Sequence, residues 1–77
     1  MKREEGMKLV CKLIHLVNST PIADINESDR LIDDLNMDSV ELIDFFINLE
    51  EYNIFLKKEQ INRGLTVGDI VSMMNID

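Results

Sequence analysis

The sequence predicts an all-α fold, an up-and-down four-helix bundle of three main helices and one short helix. Three observations favour it: apolar residues recur at helical spacing, capping boxes precede two helices, and only three glycines and one proline interrupt the chain. With 77 residues we expect a single domain, residues 1–77, whose core is thin because domains of this size bury only about 60% of their unfolded surface. So small an interior leaves little room for a substrate pocket, which favours a protein that is not itself an enzyme.

The first helix is predicted over residues 3–17, where apolar side chains follow one stripe: Met7, Leu9, Val10, Leu13, Ile14, Leu16 and Val17. The polar run 18–20 and Pro21 end it. Residues 18–37 then form a long loop, which we expect to be held on the core by four apolar anchors: Ile22, Ile25, Leu31 and Leu35. A loop of this length in a small domain suggests a function.

The second helix is predicted to begin after Asp38, a favourable N-cap residue, with Glu41 placed to complete a capping box. Four of its apolar residues share one side and are expected in the core: Leu42, Phe45, Phe46 and Leu49. Nearly opposite lies a second, smaller apolar strip: Val40, Ile43 and Ile47. A small bundle needs one buried stripe from each helix, so we expect the smaller strip at the surface.

The end of the chain supplies the remaining elements. The second helix is expected to end at Tyr52–Asn53, and a short helical turn is expected around Lys57–Asn62. Gly64 then breaks the chain, and Thr66 with Asp69 forms the capping box of a last helix.

Acidic residues dominate the middle of the chain. The net charge is −7, and between Leu31 and Leu56 there is no Lys or Arg but seven acids: Asp33, Asp34, Asp38, Glu41, Asp44, Glu50 and Glu51. This balance argues against nucleic-acid binding and suits partners with basic patches. An apolar strip edged by one sign of charge is typical of a docking face. The alternative is a solvated acidic helix whose smaller strip is covered by another element.

We expect no signal peptide in the first 17 residues, because Lys8, Lys12 and His15 interrupt the apolar run. The only cysteine, Cys11, cannot form an internal disulfide and is expected to be a small core residue. These features predict a cytoplasmic protein without stable membrane insertion.

The sequence gives little support for a metal site or a catalytic site. An EF-hand loop starting at Asp34 fails because Ser39 and Phe45 stand where glycine and a bidentate glutamate are needed. We therefore predict no metal site and no catalytic residue, and His15 is expected to face solvent. The Ser39 hydroxyl is expected at a loop–helix junction near the positive end of a helix dipole, although serine is also a common cap residue.

The run Asp34–Leu42, followed by Leu49-Glu50-Glu51, resembles the phosphopantetheine attachment motif of acyl carrier proteins, Asp-Leu-Gly-x-Asp-Ser-Leu followed by an acidic helix. The similarity extends from the first helix to Leu65–Ile70. Asn36 stands in place of the usual glycine, which is tolerable because asparagine also adopts left-handed backbone. The stretch after Glu51 is one residue shorter than usual, and lysines at 57 and 58 replace acids.

The resemblance implies a monomeric carrier with a 4′-phosphopantetheine arm, donated by coenzyme A, on Ser39. It also implies a docking face on the second helix: Asp38, Val40, Glu41, Ile43, Asp44, Ile47, Glu50 and Glu51. Expected partners are a phosphopantetheinyl transferase and acyl-transferring, condensing or ligating enzymes of fatty-acid, polyketide or related biosynthesis. Asp38 before the serine favours this acyl role. The alternatives are a D-alanyl or aminoacyl carrier, or an unmodified acidic adaptor.

Overall fold

The computed structural model describes residues 2–74 and confirms the all-α fold. Three α-helices follow in order: α1 over Arg3–Asn18, α2 over Ser39–Glu50 and α3 over Val67–Met73. Two short 3₁₀ turns, Ile22–Asp24 and Lys58–Gln60, lie between them. The second is the predicted short helix, whereas the first was not predicted.

The helix ends follow the local signals in the sequence. Ser19 adopts the left-handed conformation (φ 63°) and its N–H donates to the His15 carbonyl, which ends α1. After α2, Asn53 adopts the same conformation (φ 62°) and turns the chain. Thr66 and Asp69 form the predicted capping box of α3. Each of these signals connects residues no more than four positions apart, so the sequence alone could predict where the helices begin and end.

The core lies where α1 packs against both α2 and α3. Its largest fully buried side chains are Phe45, Ile14, Leu31, Leu49, Ile70, Val10, Val67 and Val71. Leu42 and Phe46 are partly buried and pack against this cluster, so all four residues of the predicted α2 core stripe contribute. Cys11 is a buried core residue, as expected, and burial raises the pKa of its thiol.

The long loop is held on the core by fewer of the predicted anchors than expected. Ile25, Leu31 and Leu35 are buried. The prediction for Ile22 was wrong: it begins the first 3₁₀ turn and is 49% exposed. The prediction that Leu16 lies in the buried stripe of α1 was also wrong, because its side chain points to solvent and is 62% exposed.

A short backbone ladder joins the loop to the start of α3. The Leu31 N–H donates to the Leu65 carbonyl at 3.1 Å, and the Val67 N–H donates to the Asp29 carbonyl at 2.9 Å. The Gly68 N–H donates to Glu27, whose carbonyl oxygen lies 3.1 Å from the position that a Cβ at residue 68 would take. The chain comes so close here that glycine suits the position. No helix within residues 2–74 is long and apolar enough to cross a membrane.

Candidate functional site

Ser39 is the first residue of α2, and its side chain is exposed. Asp38 precedes it in extended conformation and caps the helix: Asp38 Oδ1 accepts from the Glu41 N–H at 2.8 Å. In return, Glu41 Oε1 accepts from the Asp38 N–H at 3.0 Å. This capping box was predicted from the sequence, and it determines the point at which the chain becomes helical and Ser39 reaches the surface.

Two backbone donors beside the Ser39 hydroxyl are unused. The Leu42 N–H donates to the Asp38 carbonyl at 2.9 Å, and the Glu41 N–H is used in the capping box. The N–H groups of Ser39 and Val40 have no acceptor within residues 2–74. Free donors and the positive end of the helix dipole together favour an anion at this position. A phosphodiester attached to Ser39 therefore fits the local chemistry.

The loop that leads into Ser39 follows a defined path. Asn36 adopts the left-handed conformation (φ 54°), as expected for asparagine in the place of a glycine. On either side of it, Leu35 and Met37 are buried. The Met37 N–H donates to the Leu31 carbonyl at 3.0 Å, and the Asn18 side-chain amide donates to the Leu35 carbonyl at 2.9 Å. The approach to Ser39 is thus attached to the core and to the end of α1.

Ion pairs hold the outer side of the same loop. Arg30 Nε donates to Asp34 Oδ2 at 2.9 Å. Hydrogen bonding from Arg30, together with the charge of its side chain, lowers the pKa of the Asp34 carboxyl. Arg63 forms an ion pair with Asp33. Neither pair was predicted from the sequence. The spacing of four between Arg30 and Asp34 was a usable signal, whereas Arg63 lies 30 residues from Asp33 and no local pattern connects them.

The smaller apolar strip of α2 is exposed, as predicted. Val40 is 67%, Ile43 59% and Ile47 51% exposed, whereas Phe45 and Leu49 on the other side of the helix are fully buried. No element of the described chain covers the strip. The alternative in which another element covers it is therefore wrong.

Acidic side chains surround this strip. Asp38, Asp44, Glu50 and Glu51 are exposed, and Glu41 is half-buried within the capping box. None of these five forms an ion pair with a cation among residues 2–74. They differ in this respect from Asp33 and Asp34, the two acids of the preceding loop, which are paired with arginines. The charges on α2 therefore stay available to a partner.

Other chemically capable side chains are engaged elsewhere. His15 is exposed at the end of α1, and its Nδ1 lies 2.9 Å from the Thr20 carbonyl oxygen. No hydrogen bond in the described chain links His15 or Cys11 to Ser39. Within residues 2–74, no group of three or more His, Cys, Asp or Glu side chains is arranged to hold a metal ion.

Comparisons with known proteins point to one family. No protein-family model matches the chain. The acyl carrier protein of Thermotoga maritima is 34% identical over 71 residues, which cover 91% of this chain and 88% of that protein. The acyl carrier protein of Chlamydia felis is 31% identical over 75 residues, 94% of this chain and 90% of that protein. That of Chlamydia caviae is 33% identical over 51 residues, 65% of this chain and 66% of that protein.

Proposed function

The chain belongs to the acyl carrier protein family, and from this premise we propose that it carries acyl intermediates as thioesters on an arm attached to Ser39. Acyl carrier proteins hold a covalent 4′-phosphopantetheine group and are carriers, not enzymes. The arm ends in a thiol, which supplies the thioester linkage. The observation that carries the assignment is the exposed Ser39 hydroxyl beside unused backbone donors at the start of α2. We treat residues 1–77 as one carrier domain, and its cytoplasmic location stays a prediction.

We further propose that α2 presents this cargo through the docking face predicted above. The strip of Val40, Ile43 and Ile47 would contact apolar surface on a partner, and the unpaired acids around it would meet basic side chains. A single exposed ion pair contributes under about 1 kcal/mol, so no one acid decides binding. Several acids acting together raise the association rate and make it sensitive to salt.

The partners that suit such a surface carry basic patches. We propose a phosphopantetheinyl transferase, which would modify Ser39, and acyl-transferring, condensing or ligating enzymes of fatty-acid, polyketide or related biosynthesis. The α2 acids support this choice because they lack cationic partners within the described chain. Those enzymes would carry out the chemistry at the thioester, and this chain would present the acyl group to them.

The assignment of Ser39 is tested by incubating the purified protein with coenzyme A, magnesium and a broad-specificity phosphopantetheinyl transferase. Intact mass should increase by one phosphopantetheine for the wild type and for Ser28→Ala, a matched change at another exposed serine. Ser39→Ala should gain none. Modification of Ser39→Ala would contradict the assignment, and an unmodified wild type would favour the acidic adaptor.

A further inference from the structure

Arg30 and Asp34 close a short turn in the stretch of chain that leads to Ser39. The N–H groups of Asp34 and Leu35 donate to the Arg30 carbonyl at 3.1 and 3.0 Å. In the other direction, Asp34 Oδ2 accepts from the Arg30 N–H at 2.8 Å and from Arg30 Nε at 2.9 Å, while Asp34 Oδ1 accepts from Arg30 Nη2 at 3.3 Å. A guanidinium that donates to both oxygens of a carboxylate fixes the direction of the pair as well as its distance. The Arg30 side chain therefore reinforces a turn that the backbone also closes.

Leu31 lies inside this turn, and its backbone contacts two other parts of the chain. The Leu31 N–H donates to the Leu65 carbonyl at 3.1 Å, and the Leu31 carbonyl accepts from the Met37 N–H at 3.0 Å. Both Leu31 and Met37 have buried side chains. The turn is thus attached to the chain before α3, and it also holds the residue that lies directly before the N-cap of α2.

The position of the Ser39 hydroxyl depends on the backbone around it, because its side chain is exposed and forms no hydrogen bond within residues 2–74. Asp38 is fixed by its capping box with Glu41. Met37 is fixed by its hydrogen bond to Leu31. Through that bond, the geometry of the turn determines where the backbone that leads into Ser39 lies.

We propose that Arg30 is a positioning residue for the modification of Ser39: its pair with Asp34 keeps the turn closed, and the closed turn holds Met37 and the backbone after it in the geometry in which a transferase can use the hydroxyl. This role rests on the proposed function and adds to it a residue outside α2. Arg30 acts through the turn and does not itself contact coenzyme A.

The modification step is sensitive to the placement of one oxygen. The Ser39 oxygen bonds to the phosphorus that bears the pantetheine arm in coenzyme A, the bond from that phosphorus to the bridging oxygen of the nucleotide breaks, adenosine bisphosphate leaves, and the hydroxyl proton is released. Such a transfer requires the attacking oxygen about 3–3.5 Å from phosphorus and aligned with the leaving group. A looser backbone before Ser39 therefore lowers the rate of transfer within the complex.

Amide hydrogen exchange tests the link from Arg30 to the site without any transferase. Arg30→Gln removes the guanidinium and keeps the backbone bonds, and should accelerate exchange of the Met37 amide roughly two- to fivefold. The control is Arg3→Gln, because the Arg3 side chain is equally exposed (49% against 48%) and forms an ion pair with Glu27 in the same long loop. It removes the same charge and should leave Met37 exchange unchanged.

Three exchange results would overturn the inference. The first is unchanged exchange of the Met37 amide in Arg30→Gln. The second is an equal acceleration at Val71 in the core, which would mean a general loss of stability. The third is an equal effect of Arg3→Gln, which would mean that the lost charge acts from anywhere on the molecule.

Single-turnover modification, with the transferase in excess, tests the consequence for the reaction. In Arg30→Gln, α2 and its cap stay intact, so the half-saturating transferase concentration should be unchanged while the maximal rate falls roughly two- to fivefold. A general loss of stability would instead raise the half-saturating concentration, because only the folded fraction of the carrier can bind. Arg3→Gln should change neither quantity.

A double variant tests whether Arg30 acts through Asp34. Asp34→Ala should lower the maximal rate at least as much as Arg30→Gln does, and adding Arg30→Gln to it should bring no further loss, because the partner is already absent. Additive losses, or an unchanged maximal rate in Arg30→Gln, would overturn this inference and leave the proposed function standing. A wild type that gains no phosphopantetheine overturns the proposed function, and this role of Arg30 with it.

Discussion

Asn36 shows how a single residue prepares the site. It holds a left-handed backbone (φ 54°) three residues before Ser39, while the side chains of Leu35 and Met37 enter the core. Only glycine adopts this conformation freely, and asparagine is the next most tolerant residue type. The chain can therefore turn at residue 36 without losing either buried neighbour.

We predict that Asn36→Ala lowers the free energy of unfolding by about 1 kcal/mol, because alanine is strained in left-handed backbone. Asn36→Gly should keep the wild-type stability. Asn26→Ala, at an exposed loop position without positive φ, serves as the control and should stay within about 0.5 kcal/mol. Urea unfolding measures all three. A wild-type stability for Asn36→Ala would mean that this backbone conformation is not required.

Individual residues also show which contacts a sequence can predict. The capping box of Asp38 and Glu41 was predictable because its partners lie three residues apart. The pair of Arg63 and Asp33 was not, because only the completed fold brings them together. Ile22 was misassigned because an apolar residue in a loop can lie on a short 3₁₀ turn with its side chain towards solvent.

At the scale of the element, α2 carries apolar residues on two sides and one side is buried. Helical periodicity separated the two sides correctly, because residues three and four positions apart share a face. It did not distinguish Phe45 from its neighbour Phe46, although Phe45 is fully buried and Phe46 only partly so. That difference depends on where α1 lies against the helix, and periodicity within α2 does not contain it.

We predict that Phe45→Ala lowers the free energy of unfolding by roughly 3–5 kcal/mol, because it leaves a cavity in the core. A domain of this size has about 4–12 kcal/mol in all, so the loss is severe. Ile47→Ala, on the exposed strip, should cost less than about 1 kcal/mol. Both are measured by urea unfolding with circular dichroism. Similar losses for the two variants would mean that the assignment of the faces is wrong.

At the scale of the whole molecule, the acids divide into two groups. Asp33 and Asp34 are paired with Arg63 and Arg30, which reduces the like-charge repulsion along the acidic stretch. The acids on α2 have no such partners within the described chain. Because the pKa of Asp34 is lowered, its ion pair stabilises the fold above the ordinary carboxyl pKa, and this contribution is lost as the pH falls through the lowered value.

The packed interior of the molecule and the candidate site on its surface lie apart. The interior is filled by the packing of α1 against α2 and α3. An open groove of about 490 Å³ between the start of α1 and residues 22–27 is lined by Met7, Cys11 and Ile25 among others, and Ser39 is not among them. Ser39 lies instead at the exposed start of α2, where other proteins could reach the proposed attachment site.

The most direct test of the carrier function is the state of Ser39 in the protein isolated from its own cells. Trypsin cleavage after Arg30 and Lys57 gives the peptide 31–57, in which Ser39 is the only serine or threonine. Mass spectrometry of that peptide therefore locates a modification without further fragmentation. We predict that it carries 4′-phosphopantetheine, in part with an acyl group on the thiol. An unmodified peptide in every preparation, or the arm on a different peptide, would contradict the account.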